Sequence, residues 1–130
     1  MNKEQIMMTA LDLFSQHGIK SVSMDDIARN MGISKRTIYE FFEDKETLLV
    51  KGIEYNHKKM KQVLTELEEG PYSVVEEIIL FYEECMKRPR WYNRKFYDDL
   101  KRYPKALELN EKNKAEFSKK CMKLFSRGVK

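Results

Sequence analysis

Residues 23–42 read Ser23-Met24-Asp25-Asp26-Ile27-Ala28-Arg29-Asn30-Met31-Gly32-Ile33-Ser34-Lys35-Arg36-Thr37-Ile38-Tyr39-Glu40-Phe41-Phe42, and the order of residue types predicts two short helices around a sharp bend. Ser23 is placed to cap the first helix, and Asp25 and Asp26 follow where the positive end of the helix dipole favours carboxylates. Ile27 and Met31 fall i, i+4 on one apolar face, with Ala28 small enough for a second helix to approach. Gly32 supplies the left-handed backbone that ends the helix, Ile33 plugs the inside of the bend, and Ser34 caps the next helix. That helix, about Lys35 to Phe42, is too short to stand alone in water and needs anchors, for which Ile38 and Phe41 have the spacing. Lys35, Arg36, Thr37, Tyr39 and Glu40 are then left on the outer surface, and the N-terminal half of such a helix is the part that enters a DNA major groove. A plain helical hairpin would also show apolar residues at helical spacing. What favours a reading unit is the conjunction of small residue, glycine turn, serine cap and polar second helix.

The run from Ile6 to Leu49 resembles the N-terminal domain of the tetracycline-repressor (TetR) family. The residues that carry the likeness are Leu13-Phe14 with Gly18, then Ser23 to Ala28, Gly32 to Lys35, Ile38 to Phe42, and Lys45-Glu46-Thr47-Leu48-Leu49. The resemblance implies an all-α fold, with a three-helix helix-turn-helix head on a helical regulatory body. It also implies a homodimeric repressor on a palindromic double-stranded DNA operator, released by a small-molecule effector. On this reading residues 1–47 are the DNA-binding domain and 48–130 the regulatory one. Members of the family generally continue for two more long helices that pair to make the dimer. Nothing up to Lys130 matches them, so the chain is expected to be truncated before the dimerisation helices, or a short variant.

Length and composition fit this class. The chain of 130 residues, 42% hydrophobic and 12% aromatic, can bury one or two small cores. No apolar run reaches the roughly 18 residues of a membrane span, and no apolar leader opens the chain, so a cytoplasmic location is expected. Cys85 and Cys121 lack Cys-x-x-Cys spacing and read as reduced, partly buried side chains. The net charge of +4 invites a DNA-binding inference that its distribution does not support. Residues 1–50 carry six cations (Lys3, Lys20, Arg29, Lys35, Arg36, Lys45) against eight acids, or −2, whereas residues 51–130 carry nineteen against thirteen, or +6. DNA binding by so acidic a head rests on locally placed cations and helix N-termini, with a modest salt slope.

Outside the central stretch, a first helix is expected over Lys3 to His17 with Ile6, Ala10, Leu13, Phe14 and His17 along one face. Asp44 caps a fourth, starting near Lys45 and following Leu49, Ile53, Met60, Leu64 and Leu67 to Gly70-Pro71. Gly52 within it permits a bend or close packing on the head. Ser73-Val74-Val75-Glu76 is a capping-box sequence opening a helix that carries Val74, Ile78, Phe81, Tyr82 and Cys85 inward until Arg88-Pro89. Trp91 to Tyr103 reads as a short aromatic helix with Tyr92, Phe96, Leu100 and Tyr103 on one stripe. Ala106 to Val129 reads as a last one with Leu107, Ala115, Phe117, Cys121, Leu124 and Phe125 as its apolar residues. About seven helices and no strands are expected.

At the DNA face, the Arg36 guanidinium matches guanine O6 and N7, with a phosphate contact as the alternative. Lys35 and Lys45 are placed for phosphates, as are the Ser23 and Ser34 hydroxyls. Thr37 suits a thymine methyl or a phosphate, and Tyr39 a phosphate through its hydroxyl, which the resemblance favours. Glu40 departs from the family, which often has a basic or neutral residue there. It either reads cytosine or pairs with Arg36 at i, i+4. In the body, Tyr82, Trp91, Tyr92, Phe96, Tyr97 and Tyr103 gather aromatic surface that either lines an effector pocket or packs as core. No metal, cofactor or catalytic constellation is legible: His17 and His57 lie far apart, the cysteines have no paired histidine, and no phosphate loop exists. A protein-interaction module that keeps the head as scaffold is the alternative to a regulator.

Overall fold

The computed structural model describes residues 2–87 and 94–129 and contains, among them, seven α-helices and no strand. They are α1 (Lys3–His17), α2 (Met24–Met31), α3 (Lys35–Phe41), α4 (Lys45–Glu69), α5 (Val74–Lys87), α6 (Arg94–Leu100) and α7 (Pro104–Val129). Local chemistry sets most of the boundaries. Asn2 and Gln5 form a reciprocal capping box at α1, Asp44 Oδ1 accepts from Thr47 N at 2.7 Å to open α4, and Ser73 and Glu76 exchange the two bonds expected of them at α5. Pro104 ends nothing alone: α6 stops at Leu100, and Pro104 opens α7, where its missing N–H costs no bond.

The helices enclose two cores. The first joins α1, α2, α3 and the first half of α4 with Phe96 and Leu100 of α6 and Ala106 of α7. Ile6, Met7, Ala10, Leu11 and Phe14 are its α1 face. This corrects the expected stripe, since His17 is exposed and Leu13 only half-buried. A Cβ at Gly52 would meet Leu11 Cγ at 3.0 Å, so the glycine lets α4 lie directly on α1. The division at residue 47 therefore falls inside α4, and this hydrophobic core runs through it.

The second core is built from Met60 and Leu64 of α4, Phe81 of α5 and Leu124 of α7, with Val63, Leu67, Val74, Ile78, Phe117 and Cys121 packed against it. Phe81 and Phe117 stack with ring centroids 5.5 Å apart. Burial raises the pKa of the free Cys121 thiol, as expected of a small packed hydrophobe. Tyr82, expected to point inward, is exposed, and so are Ala115 and Phe125 among the apolar residues of α7. Tyr82 and Phe125 each sit about 100° round their helix from a packed neighbour, so Phe81 and Leu124 take the inner positions. The side chain of Cys85, with Trp91 and Tyr92, lies outside the described residues.

Candidate nucleic-acid interface

The bend between α2 and α3 is fixed by the groups the sequence points to. Ser23 Oγ accepts from Asp26 N at 3.1 Å and Asp26 Oδ2 accepts from Ser23 N at 2.9 Å. These bonds hold the Asp26 carboxyl below its ordinary pKa, helped by Arg29 and Lys45 nearby. Gly32 takes the left-handed conformation at φ 69°, with its N–H and that of Ile33 closing on the last carbonyls of α2. Ser34 Oγ then accepts from Thr37 N at 3.2 Å and lies 2.9 Å from Thr37 Oγ1. Both serine hydroxyls thus have a structural task, and the Ser23 N–H is already used.

Ile38 is fully buried and locks α3 to the head. The second anchor is Phe42 and not Phe41, which is 41% exposed while Phe42 is 1% exposed. The physical reason is the helix end: α3 stops at Phe41, and extended backbone at Phe42 (φ −133°, ψ 125°) swings its ring inward. There the Lys3 ammonium lies 5.7 Å from the Phe42 ring centroid.

The outer surface of α3 carries Lys35, Arg36, Tyr39 and Glu40 exposed, and Thr37 half-buried. Lys35 Nζ is 3.4 Å from Asp25 Oδ2 across the bend and 6.0 Å from the Tyr39 ring centroid. The partners are each about half exposed, so this pair is worth at most about 1 kcal/mol and yields readily to a phosphate. The expected Arg36–Glu40 ion pair does not form among the described residues. Lys45 sits differently from the rest: its ammonium lies 5.7 Å from the Phe14 ring centroid. Burial lowers its pKa, and the carboxylates of Asp99 and Asp26 oppose that shift.

One contact escapes sequence reasoning. Asp99 Oδ2 of α6 accepts from Lys20 N at 2.8 Å, joining the body to the α1–α2 turn over 79 positions. Gly18, at φ 88°, makes room for it, since a Cβ there would lie 3.0 Å from both Asp99 Oδ2 and Lys95 Cβ.

The aromatic residues considered for a ligand are dispersed. Phe96 is fully buried edge-on to Tyr97 at 5.7 Å, Tyr97 and Tyr103 pack against the first core, and Tyr82 faces solvent. Trp91 and Tyr92 lie outside the described residues. A groove of about 380 Å³ lies in the head instead, lined by Gln5, Met8, Thr9, Asn30 and Met31. Among the described residues no group of three or more His, Cys, Asp or Glu is arranged to hold a metal, and no helix is long and apolar enough to cross a membrane.

Comparison with known proteins bears on this head. Residues 6–51 match the family model for bacterial regulatory proteins of the tetR family. The chain is 36% identical over 73 residues to the uncharacterized HTH-type transcriptional regulator YerO of Bacillus subtilis, a match covering 53% of this chain and 25% of that protein. It is 32% identical over 82 residues to the HTH-type transcriptional regulator AcrR of Shigella flexneri, covering 60% and 38%. It is 44% identical over 39 residues to the putative mycofactocin biosynthesis transcriptional regulator MftR of Mycobacterium tuberculosis, covering 30% and 20%. The matches thus span between 20% and 38% of these relatives' lengths. No solved structure matches the chain.

Proposed function

We propose, from the premise that the chain belongs through its head to the tetR family of bacterial regulatory proteins, that it is a sequence-specific DNA-binding transcriptional regulator. It acts as a homodimer on a palindromic operator and represses until a small molecule releases it. The observation that carries the reading is the two-sidedness of α3: Ile38 is fully buried while Arg36, Tyr39 and Glu40 stand outward beside a capped, fixed N-terminus. Arg36 is the base-reading residue, free of any carboxylate on its own helix, and Lys35 exchanges Asp25 for a phosphate. Ser23, Ser34, Thr37 and Tyr39 position the head, and Glu40 favours a cytosine amino group over a phosphate. Lys45 contributes to phosphate binding only by leaving the Phe14 ring.

Release by a ligand is supported by a buried atom on α4 that makes no hydrogen bond, Asn56 Oδ1, beside the His57 side chain that meets Glu116 of α7 at 3.4 Å. Asn56 and His57 lie on the helix that begins in the head, so a ligand preferring a tilted α4 would shift the spacing of two heads. Selection of bound duplexes from a random pool at low salt tests the DNA reading. Enrichment of an inverted repeat is expected, and a pool that stays random would refute it. An unchanged consensus with Glu40→Gln would remove Glu40 from readout. A metabolite screen by thermal melt tests the effector: a stabilising compound that also weakens DNA binding is expected, and no shift from any compound class argues for a constitutive regulator.

A further inference from the structure

The head is fastened to the body twice. One fastening is α4, which begins in the head, lies on α1 at Gly52 and runs on into the second core. Apolar packing of this kind resists separation but permits small sliding of one helix over the other. The second fastening is α6, whose Phe96 and Leu100 are fully buried in the first core. Between them stands Asp99, and its Oδ2 accepts from Lys20 N at 2.8 Å. A charged acceptor on a backbone N–H makes a short, directional bond, which does not slide. The turn that receives it is built for it. Gly18, at φ 88°, closes α1 by donating its N–H to the Phe14 carbonyl at 2.8 Å, and a Cβ there would lie 3.0 Å from that same Asp99 oxygen. Three residues after Lys20 comes Ser23, the cap of α2, so the bond grips the chain just ahead of the reading unit.

We propose that Asp99 is a positioning residue for DNA binding: its bond to Lys20 N stops the head from sliding on the body and so fixes how far apart two heads stand on an operator. The bond stands on the geometry, whereas its effect on spacing rests on the proposed reading of a homodimer on an inverted repeat. One base pair added between half-sites moves one of them by about 3.4 Å and about a tenth of a turn. A head held by packing and a directional bond does not follow that shift, and a head held by packing alone does. Asp99 acts through its charge as well, since it is one of two carboxylates in whose field the Lys45 ammonium lies, over the Phe14 ring. Asp99→Asn separates the two effects, because the amide oxygen still accepts from Lys20 N while the charge is gone.

Two measurements on the full chain test this, with circular dichroism to confirm that each variant keeps its helices. Amide exchange without DNA reads the bond. The Lys20 N–H should exchange about tenfold or more faster in Asp99→Ala than in wild type, and at close to the wild-type rate in Asp99→Asn. Affinity for the selected operator, and for versions with one base pair added or removed at its centre, reads the consequence. Wild type and Asp99→Asn should each bind the altered spacings about tenfold more weakly, and Asp99→Ala about threefold or less. A merely stabilising contact would weaken Asp99→Ala equally on all three operators, or not at all, and either result overturns the inference. A Lys20 N–H that exchanges equally in all three proteins overturns it too, whatever the DNA result. A wild type that selects no inverted repeat while its Lys20 N–H stays protected would overturn the DNA reading, and the spacing role with it, and leave the bond standing.

Discussion

The two cores are packed to different standards. Among the described residues, every large side chain that is less than 2% exposed, from Ile6 to Leu100, belongs to the first core, whereas the four buried residues of the second retain between 4% and 8% exposure. Of the eight exposed large hydrophobic side chains among the described residues, six, Tyr72, Val75, Ile79, Tyr82, Met122 and Phe125, belong to the distal part. The head is the more tightly packed unit, and its outward apolar groups, Tyr39 and Phe41, lie on α3 itself.

Truncating each core should separate them most. Ile38→Ala is expected to cost about 2–5 kcal/mol, because a fully enclosed site leaves a cavity. Phe41→Ala, on an exposed ring, should cost less than about 1 kcal/mol. Denaturant unfolding measures both, and equal losses would break the assignment of Phe42 as the second anchor. Leu124→Ala comes next, near the lower end of that range at about 2 kcal/mol, because the open bundle can relax around it. Amide exchange should then rise in α5 and α7 and stay unchanged in α2 and α3.

Smaller effects come from the caps. Ser23→Ala should remove about 1 kcal/mol from the head and leave the distal bundle's exchange unaltered. The pH dependence is weakest of all. Asp26 and Asp44 are held below the ordinary 3.8 chiefly by hydrogen bonds from Ser23 and Thr47, and Glu116 below 4.5 chiefly by Lys61. A depressed carboxyl pKa stabilises the fold above the unfolded value and loses that contribution as pH falls through the folded one, here from about pH 5 downward. Added salt should erase the Glu116 share and spare those of Asp26 and Asp44, because only the first depends on an exposed ion pair. Melting curves of Asp44→Asn and Glu116→Gln between pH 5 and 2, at two salt concentrations, check the distinction.

Local chemistry was legible in the sequence, and tertiary choice was not. Ser23, Gly32, Ser34, Asp44 and the Ser73–Glu76 pair act within four residues of themselves, so their types and spacings alone place the helix ends. The fold class and the outward set on α3 follow from those ends. Helical spacing favours Phe41 as the anchor, but the helix ends there and the extended backbone at Phe42 reverses the choice. Tyr82 and Phe125 have the composition of core residues, and only the position of neighbouring helices turns them outward. The Asp99 bond to Lys20 joins residues that no periodicity connects. The seat of Lys45 over Phe14 depends likewise on how α4 lies on α1.

The proposed role of Arg36 is to read a base from a helix fixed by Ile38, Phe42 and the Ser34 cap. Titrating wild type and Arg36→Ala against the selected operator and its single-base variants tests it most directly. The expected result is a loss of about 1–3 kcal/mol on the selected operator, with discrimination relaxed at one base pair of each half-site. An equal weakening on every sequence would contradict it and make Arg36 a phosphate contact.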